Sequence, residues 1–455
     1  MSNYVLKEKH MGAVGRKIMT GILVCLLFLA GVSIMAKDGA KKSSEYSPVV
    51  QDLKDLYDGN EDFAKLVDNA LKSAVVPPDG WPYDPLNPRK LFIWQEKNVD
   101  DFLDFFQGWL TFVPNNKNGM SYYELLYGLC YNNEYALKFV ETDPGLSWTR
   151  EFVKARGTYM DSEDSIYTDK THKEFKKAMW DWYEALGDHW NDFKPPHPPN
   201  VGFKGYKTFN EFFTRKLRGP GVRPVSYPDD DSILVAPADG LVNIVNSNLD
   251  TDSIIHTKYD EYLNIDQLLD GSKYAKYFLG GTAVDSVLLP PDYHRYHSPA
   301  AGIVVESKEV DADDGFYFGM DGEFFTFSNN GNIGGYKSKY GIFGQYHRGY
   351  YIIKTDHFGY IAMIPIGLDD ISSVNFVDKF RNVTCAKPVP VKKGEEVGYF
   401  AYGGSTIILL FQPGVLFGVK TEQGNQIGVM NAVDHEKKAI PTLHHYYHYK
   451  KKKDK

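Results

Sequence analysis

The chain has 455 residues, 43% of them apolar and 24% charged, enough for two or three domains with cores of their own. Its net charge of −8 gives no basic signature, so nucleic acid is not expected as a partner. Of 3 cysteines, Cys25 lies in an apolar N-terminal run; Cys130 and Cys385 leave one bridge open but no disulfide framework, and no cysteine spacing suits a metal.

Residues 1–17 form a basic flank with Lys7, Lys9, Arg16 and Lys17. Residues 18–36 carry no charge and are just long enough for a bilayer core of ~30 Å. They read as an uncleaved anchor in preference to a cleaved signal, because Ile34 is large for the third residue before a cut after Ala36. The charges lean towards a cytoplasmic N-terminus, with the bulk of the chain on the non-cytoplasmic side. Residues 37–50 are a polar linker.

Residues 51–192 show apolar positions three and four apart, predicting a helical domain. Helices are expected from Asp62 to Ala74, Val99 to Phe112, Tyr122 to Val140 and Phe175 to Trp190. Their aromatic stripes are read as core. Residues 193–205 contain Pro195-Pro196-His197-Pro198-Pro199 and mark a boundary. Next, Thr208 can cap a helix with Glu211 three residues on. Phe209, Phe212, Phe213 and Leu217 give that helix an apolar face, expected to dock on the next domain; a lipid-facing role is the sharper alternative.

From 206 to 440 the segments become short, β-branched and aromatic, separated by turns such as Asp239-Gly240, which predicts a mainly β domain. Strands are expected at 240–245, 302–306, 350–354 and 360–365, and in the run Ile407-Ile408-Leu409-Leu410-Phe411. Residues 329–341 read as a surface loop and 441–455 as a basic tail. The fold class is therefore α+β: a helical N-terminal domain, then a mainly β domain, preceded by one membrane-spanning or signal segment.

Four stretches of the β domain carry chemistry. They are Pro237-Ala238-Asp239-Gly240, Asp292-Tyr293-His294-Arg295-Tyr296-His297, Tyr346-His347-Arg348-Gly349, and Tyr402-Gly403-Gly404-Ser405-Thr406. Two glycines allow a bend that L side chains would resist and leave the Gly404 carbonyl unshielded. A hydroxyl beside such a carbonyl can attack it. A lone Gly-Gly-Ser-Thr is otherwise a tight turn into a strand. The two histidines could bind a metal, but no third ligand is evident nearby, and no metal is expected.

Together these stretches, with the Phe-Asn-Glu-Phe-Phe-Thr-Arg-Lys-Leu segment upstream, resemble the phosphatidylserine decarboxylase family of pyruvoyl enzymes over about Tyr206 to Val433. The resemblance implies self-cleavage between Gly404 and Ser405, with Asp239, His297 and Ser405 as the processing triad. Ser405 would become a covalent pyruvoyl cofactor that captures the substrate amine and takes up electrons as CO₂ leaves. His294 would handle the proton at the α-carbon, and Asp292 and Arg348 would shape the site. The implied activity is conversion of phosphatidylserine to phosphatidylethanolamine by a membrane-attached enzyme of two associated chains; a homodimer is left open. The helical domain looks like the accessory region of a divergent branch, some members of which act on free, including aromatic, amino acids, so that substrate is the alternative. An unprocessed binding module of the same fold is the non-enzyme reading.

Overall fold

Asparagines open three of the helices in the first part of the chain. α1 (Pro48–Gly59) starts at a proline, and Asn60 then caps α2 (Glu61–Lys72) by accepting from the Phe63 N–H. Asn98 and Asp101 cap α3 (Val99–Leu110) reciprocally, which satisfies two donors that a helix start leaves unpaired. α4 (Ser121–Cys130) and α5 (Glu134–Glu141) divide the single helix expected between Tyr122 and Val140. The cause is Asn133: its side chain accepts from the Ala136 N–H and donates to the carbonyls of Leu129 and Ala70. α6 (Gly145–Met160) and α7 (Lys173–Leu186) complete the set. Phe102, Phe105, Phe106, Trp109, Phe139, Trp148 and Phe152 pack as one buried aromatic cluster, largely edge to face or tilted. The aromatic stripes are core.

The computed structural model describes residues 46–418, apart from 78–79, 86, 88, 116–120, 167–172, 251–254, 257–261, 289–290, 311–346, 369–373 and 417. The expected anchor at 18–36, the loop at 329–341 and the tail at 441–455 lie outside these residues. Among the described residues no helix is long and apolar enough to cross a membrane.

The proline-rich stretch is pinned to its neighbours. β1 (Phe193–Lys194) pairs with β2 (Lys216–Leu217), and between them α8 (Phe209–Phe213) is capped by Thr208. Glu211 accepts from the Lys207 N–H and bonds His197. α8 ends at Phe213, so Leu217, expected on its apolar face, lies in β2 instead. Phe209, Phe212 and Phe213 are buried against Met160, Trp182, Tyr293 and Tyr402. The helix docks on the protein, and its apolar face is not offered to lipid.

Among the described residues the strand pairs of the β region are antiparallel. Its elements are β3 (Leu241–Ser247), the pair β4 (Ile255–His256) and β5 (Tyr262–Leu263), then α9 (Ile265–Leu268), β6 (Thr282–Leu288), β7 (Arg295–His297) and β8 (Gly302–Val310). β9 (Arg348–Lys354), β10 (Tyr360–Leu368), β11 (Val374–Phe376), β12 (Val389–Val391), β13 (Glu396–Phe400) and β14 (Gly404–Phe411) follow. A seven-stranded sheet has the order β12-β8-β9-β10-β14-β6-β3, and a three-stranded sheet the order β11-β13-β7. Mixed helix with a mainly β second part is the α+β class expected from the sequence.

β14 is central and buried on both faces. Ile408 and Leu410 face a core with Leu268, Phe278 and Ile364. Ile407, Leu409 and Phe411 face the other, with Tyr296, Phe376 and Phe400 of the small sheet. Because side chains alternate along a strand, Ser405 shares the second face and Thr406 the first. A one-residue slip would exchange them.

Candidate active site

Ser405 sits where several strand ends meet. It is level with Gly367 near the end of β10 and with Leu288 at the end of β6. Leu241, at the start of β3, is level with Val287, which in turn is level with Thr406. Asp239-Gly240 therefore lies just beyond the same end of the sheet, two strands from β14. Gly240 has no room for a side chain there: a Cβ would lie 2.7 Å from the Val287 carbonyl oxygen.

The bend before Ser405 needs its glycine. Gly403 has φ 146°, a region essentially closed to L side chains. Ser405 is fully buried, and its hydroxyl has no hydrogen-bond partner among the described residues. Burying an unpaired hydroxyl is unfavourable by about 1–3 kcal/mol. Thr406, on the opposite face, has an ordinary arrangement: its hydroxyl donates to the buried Asp285 carboxylate.

His294 immediately precedes β7 and His297 ends it; β7 pairs with β13, the strand that runs into the Gly-Gly bend. The Phe400 N–H donates to the His294 carbonyl at 2.9 Å. His294 Nδ1 faces the Asp292 carbonyl at 3.0 Å, so it carries the proton and Nε2 is the basic nitrogen. Its ring is buried and stacked on Phe213, with centroids 3.9 Å apart. His297 has the same tautomer for the same reason: Nδ1 donates to the Gly394 carbonyl at 2.9 Å. Its Nε2 accepts from the Tyr293 hydroxyl at 3.2 Å. Burial, more than any neighbouring charge, pushes the Tyr293 pKa upward and keeps that hydroxyl protonated.

The structure brings the expected residues to one end of the sheet without joining them in a relay. Asp239 Oδ2 lies 3.3 Å from Arg223 Nη2, while His297 is engaged with Gly394 and Tyr293. Among the described residues no hydrogen bond links Asp239, His297 and Ser405. Asp292 contributes through its carbonyl, which accepts from His294 and, at 2.8 Å, from Arg215. Arg348 lies on the other face. It is level with Ile366 and Thr406, its guanidinium donates to the Gln267 and Leu268 carbonyls at the end of α9, and burial lowers its pKa to about 10.

Sequence reasoning passed over Arg215, Asn210, Tyr293 and Tyr402 as site residues. Arg215 is buried, with its pKa lowered by burial to about 10. It donates to the Pro291 and Asp292 carbonyls and lies 4.3 Å from the Phe193 ring centroid. It thus fixes the turn that presents His294. All four stand inside the quoted motifs, but nothing local in sequence reveals their long-range partners.

Comparison with known proteins gives the family. The sequence model of the phosphatidylserine decarboxylase family matches residues 209–432. A Fusobacterium nucleatum phosphatidylserine decarboxylase proenzyme is 30% identical over 239 residues, 52% of this chain and 69% of that protein. The chain belongs to the phosphatidylserine decarboxylase family. A Clostridium perfringens proenzyme of the same name is 32% identical, over 47% of this chain and 64% of that protein. The Schizosaccharomyces pombe phosphatidylserine decarboxylase proenzyme 3 is 34% identical over 46% of this chain, and the match spans only 19% of that protein. Both histidines, Asp239, the Gly-Gly-Ser-Thr bend and α8 fall inside the family match. Helices α1 to α7 precede it.

Proposed function

We propose that this chain is a proenzyme that cuts itself between Gly404 and Ser405 and then decarboxylates phosphatidylserine to phosphatidylethanolamine and CO₂. The observation that carries the reading is the Ser405 hydroxyl: fully buried, unpartnered among the described residues and placed after a φ 146° glycine. A purely structural serine there would be better replaced by alanine. The names of the three relatives, all proenzymes, support the same reading.

In self-cleavage, the Ser405 oxygen bonds to the Gly404 carbonyl carbon as the C–N bond breaks, which leaves an ester and a free amine. His297 accepts the hydroxyl proton at Nε2 and returns it to the amine. To do so it exchanges the Tyr293 hydroxyl for that of Ser405, while Gly394 keeps the ring in its tautomer. Asp239, held by Arg223, stabilises the transient imidazolium through space. Loss of the residue-405 α-proton then breaks the Cβ–Oγ bond and frees the Gly404 carboxylate. Water displaces ammonia from the remaining enamine, giving the pyruvoyl group.

The site fits that group: residue 405 is fully buried, and no hydrogen bond among the described residues holds its side chain, so exchanging the hydroxymethyl for a methyl ketone breaks no side-chain hydrogen bond. When present, the pyruvoyl carbonyl supplies the electrophile for the substrate amine and the sink for the electrons released with CO₂. His294 delivers the proton to the substrate α-carbon, its ring fixed by Phe213 and Asp292 with Nε2 as the working nitrogen. The two chains stay together because β14 is paired on both sides. Residues 18–36 attach the enzyme to the membrane that holds its substrate, which the uncharged apolar stretch supports, with the catalytic part on the non-cytoplasmic side, which the basic residues before the stretch support.

The test is CO₂ release by the purified protein from phosphatidylserine vesicles and, separately, from free tryptophan. Release from the lipid alone is expected. Release from tryptophan but not from lipid would replace the substrate and keep the chemistry.

A further inference from the structure

The Gly403-Gly404 bend is soft, so its direction must be imposed from its two ends. On the C-terminal side β14 does this. On the N-terminal side the anchor is Tyr402, and what holds Tyr402 comes from the helical region. Its backbone N–H donates to Asn210 Oδ1 at 3.1 Å, and Asn210 Nδ2 donates to Asp161 Oδ1 at 2.9 Å. Asp161 is the residue at which α6 ends. The amide orientation is forced, because a backbone N–H only donates and a carboxylate only accepts.

The Tyr402 side chain is held as well. Its ring stands edge-on to Phe209 and Phe213, with the Arg156 guanidinium 5.6 Å from its centroid. Arg156 in turn is fixed by the Trp109 and Phe112 carbonyls at 2.6 and 3.1 Å. At the start of α8, the Phe209 N–H donates to Ser165 at 2.8 Å. Arg156, Asp161 and Ser165 all precede the residues matched by the family.

We propose that Asp161 and Asn210 are positioning residues for self-cleavage, through which the helical region aims the Gly404 carbonyl at the Ser405 hydroxyl. The inference rests on the self-cleavage reading above. Without the anchor, the two glycines let the carbonyl swing off the line of attack, and misplacement by ~1 Å costs about 100-fold in rate. Asn210 suits the task because its amide accepts from Tyr402 with one atom and donates to Asp161 with the other.

The test follows cleavage in time during cell-free synthesis of the full chain, by denaturing gel, for the natural sequence and for Asn210→Ala, Asp161→Ala and Asp161→Asn. Asn210→Ala is expected to slow cleavage by about 10- to 100-fold. Asp161→Ala should slow it by roughly 3-fold, a smaller effect because this residue only orients the amide. Asp161→Asn, which keeps an acceptor, should restore the natural rate. Asp161 is exposed, so its replacements leave the core intact. Melting temperatures measured in a Ser405→Ala background separate folding from positioning. Hydroxylamine, which splits the ester but not the amide, should release no extra fragment from Asn210→Ala, since the acyl shift itself is slowed.

If the natural chain cuts and both alanine variants cut at the same rate, or lose cleavage only in step with their folded fraction, the positioning claim is wrong and self-cleavage stands. Asp161→Asn behaving like Asp161→Ala would also overturn it. An uncut natural chain would instead remove the self-cleavage reading and this inference with it.

Discussion

The helical region and the sheet region bury different things. Around Phe106 the helical core is hydrocarbon and aromatic ring, and of the polar side chains buried elsewhere in that region, Asn133 and Arg156 donate to backbone carbonyls. The sheet region buries Asp285, His294, Arg295, Arg348, Ser405 and Thr406 among its apolar side chains. Buried polar groups are unfavourable unless partnered. Most of these are partnered by carbonyls or carboxylates, and Ser405 stands out because its hydroxyl is not. The first core shows what stability alone asks for, and the second holds the residue on which the proposed self-cleavage turns. Arg156 and Asn210, also buried, lie where the two regions meet.

That contrast can be broken or sharpened by substitution. Ser405→Ala has the largest functional effect expected, complete loss of the cut on a denaturing gel. It should still fold and melt in one cooperative transition, because the substitution removes only an unpartnered buried hydroxyl. A large loss of stability would show the serine to be structural. His294→Ala should still cut, but turnover of phosphatidylserine should fall by about 10²- to 10⁴-fold. Failure to cut would transfer the processing role from His297 to His294. Phe106→Ala should do the reverse, lowering unfolding free energy by about 3–5 kcal/mol in denaturant titration while its folded molecules still cut. Asn98→Ala, which removes the cap of α3, should lower stability by only ~1 kcal/mol and leave processing untouched.

Much of this was legible in the chain. The apolar run after Ser405 announced a strand, and the order of the short motifs announced the family. The aromatic stripes announced a core. Other features depend on distant pairings. Which face Ser405 shares follows from the register of β14 with β6 and β10. Arg348 sits in a motif beside His347, yet its strand turns it to the opposite face, where it serves α9. Asn133 ends one helix and starts another because of carbonyls on α2 and α4. Asn210 looks like a spacer in a phenylalanine-rich helix until Asp161 and Tyr402 are seen beside it. The resemblance implies His297 and Asp239 in one triad, whereas Tyr293, Gly394 and Arg223 hold them in the uncut chain.

The central claim is a covalent event, so intact-mass spectrometry of the purified, folded protein tests it most directly. The account predicts two polypeptides: one ending at Gly404, and one of residues 405–455 whose first residue has lost its amine and carries a pyruvoyl carbonyl. A single uncut mass, with Ser405 still joined to Gly404, would contradict it.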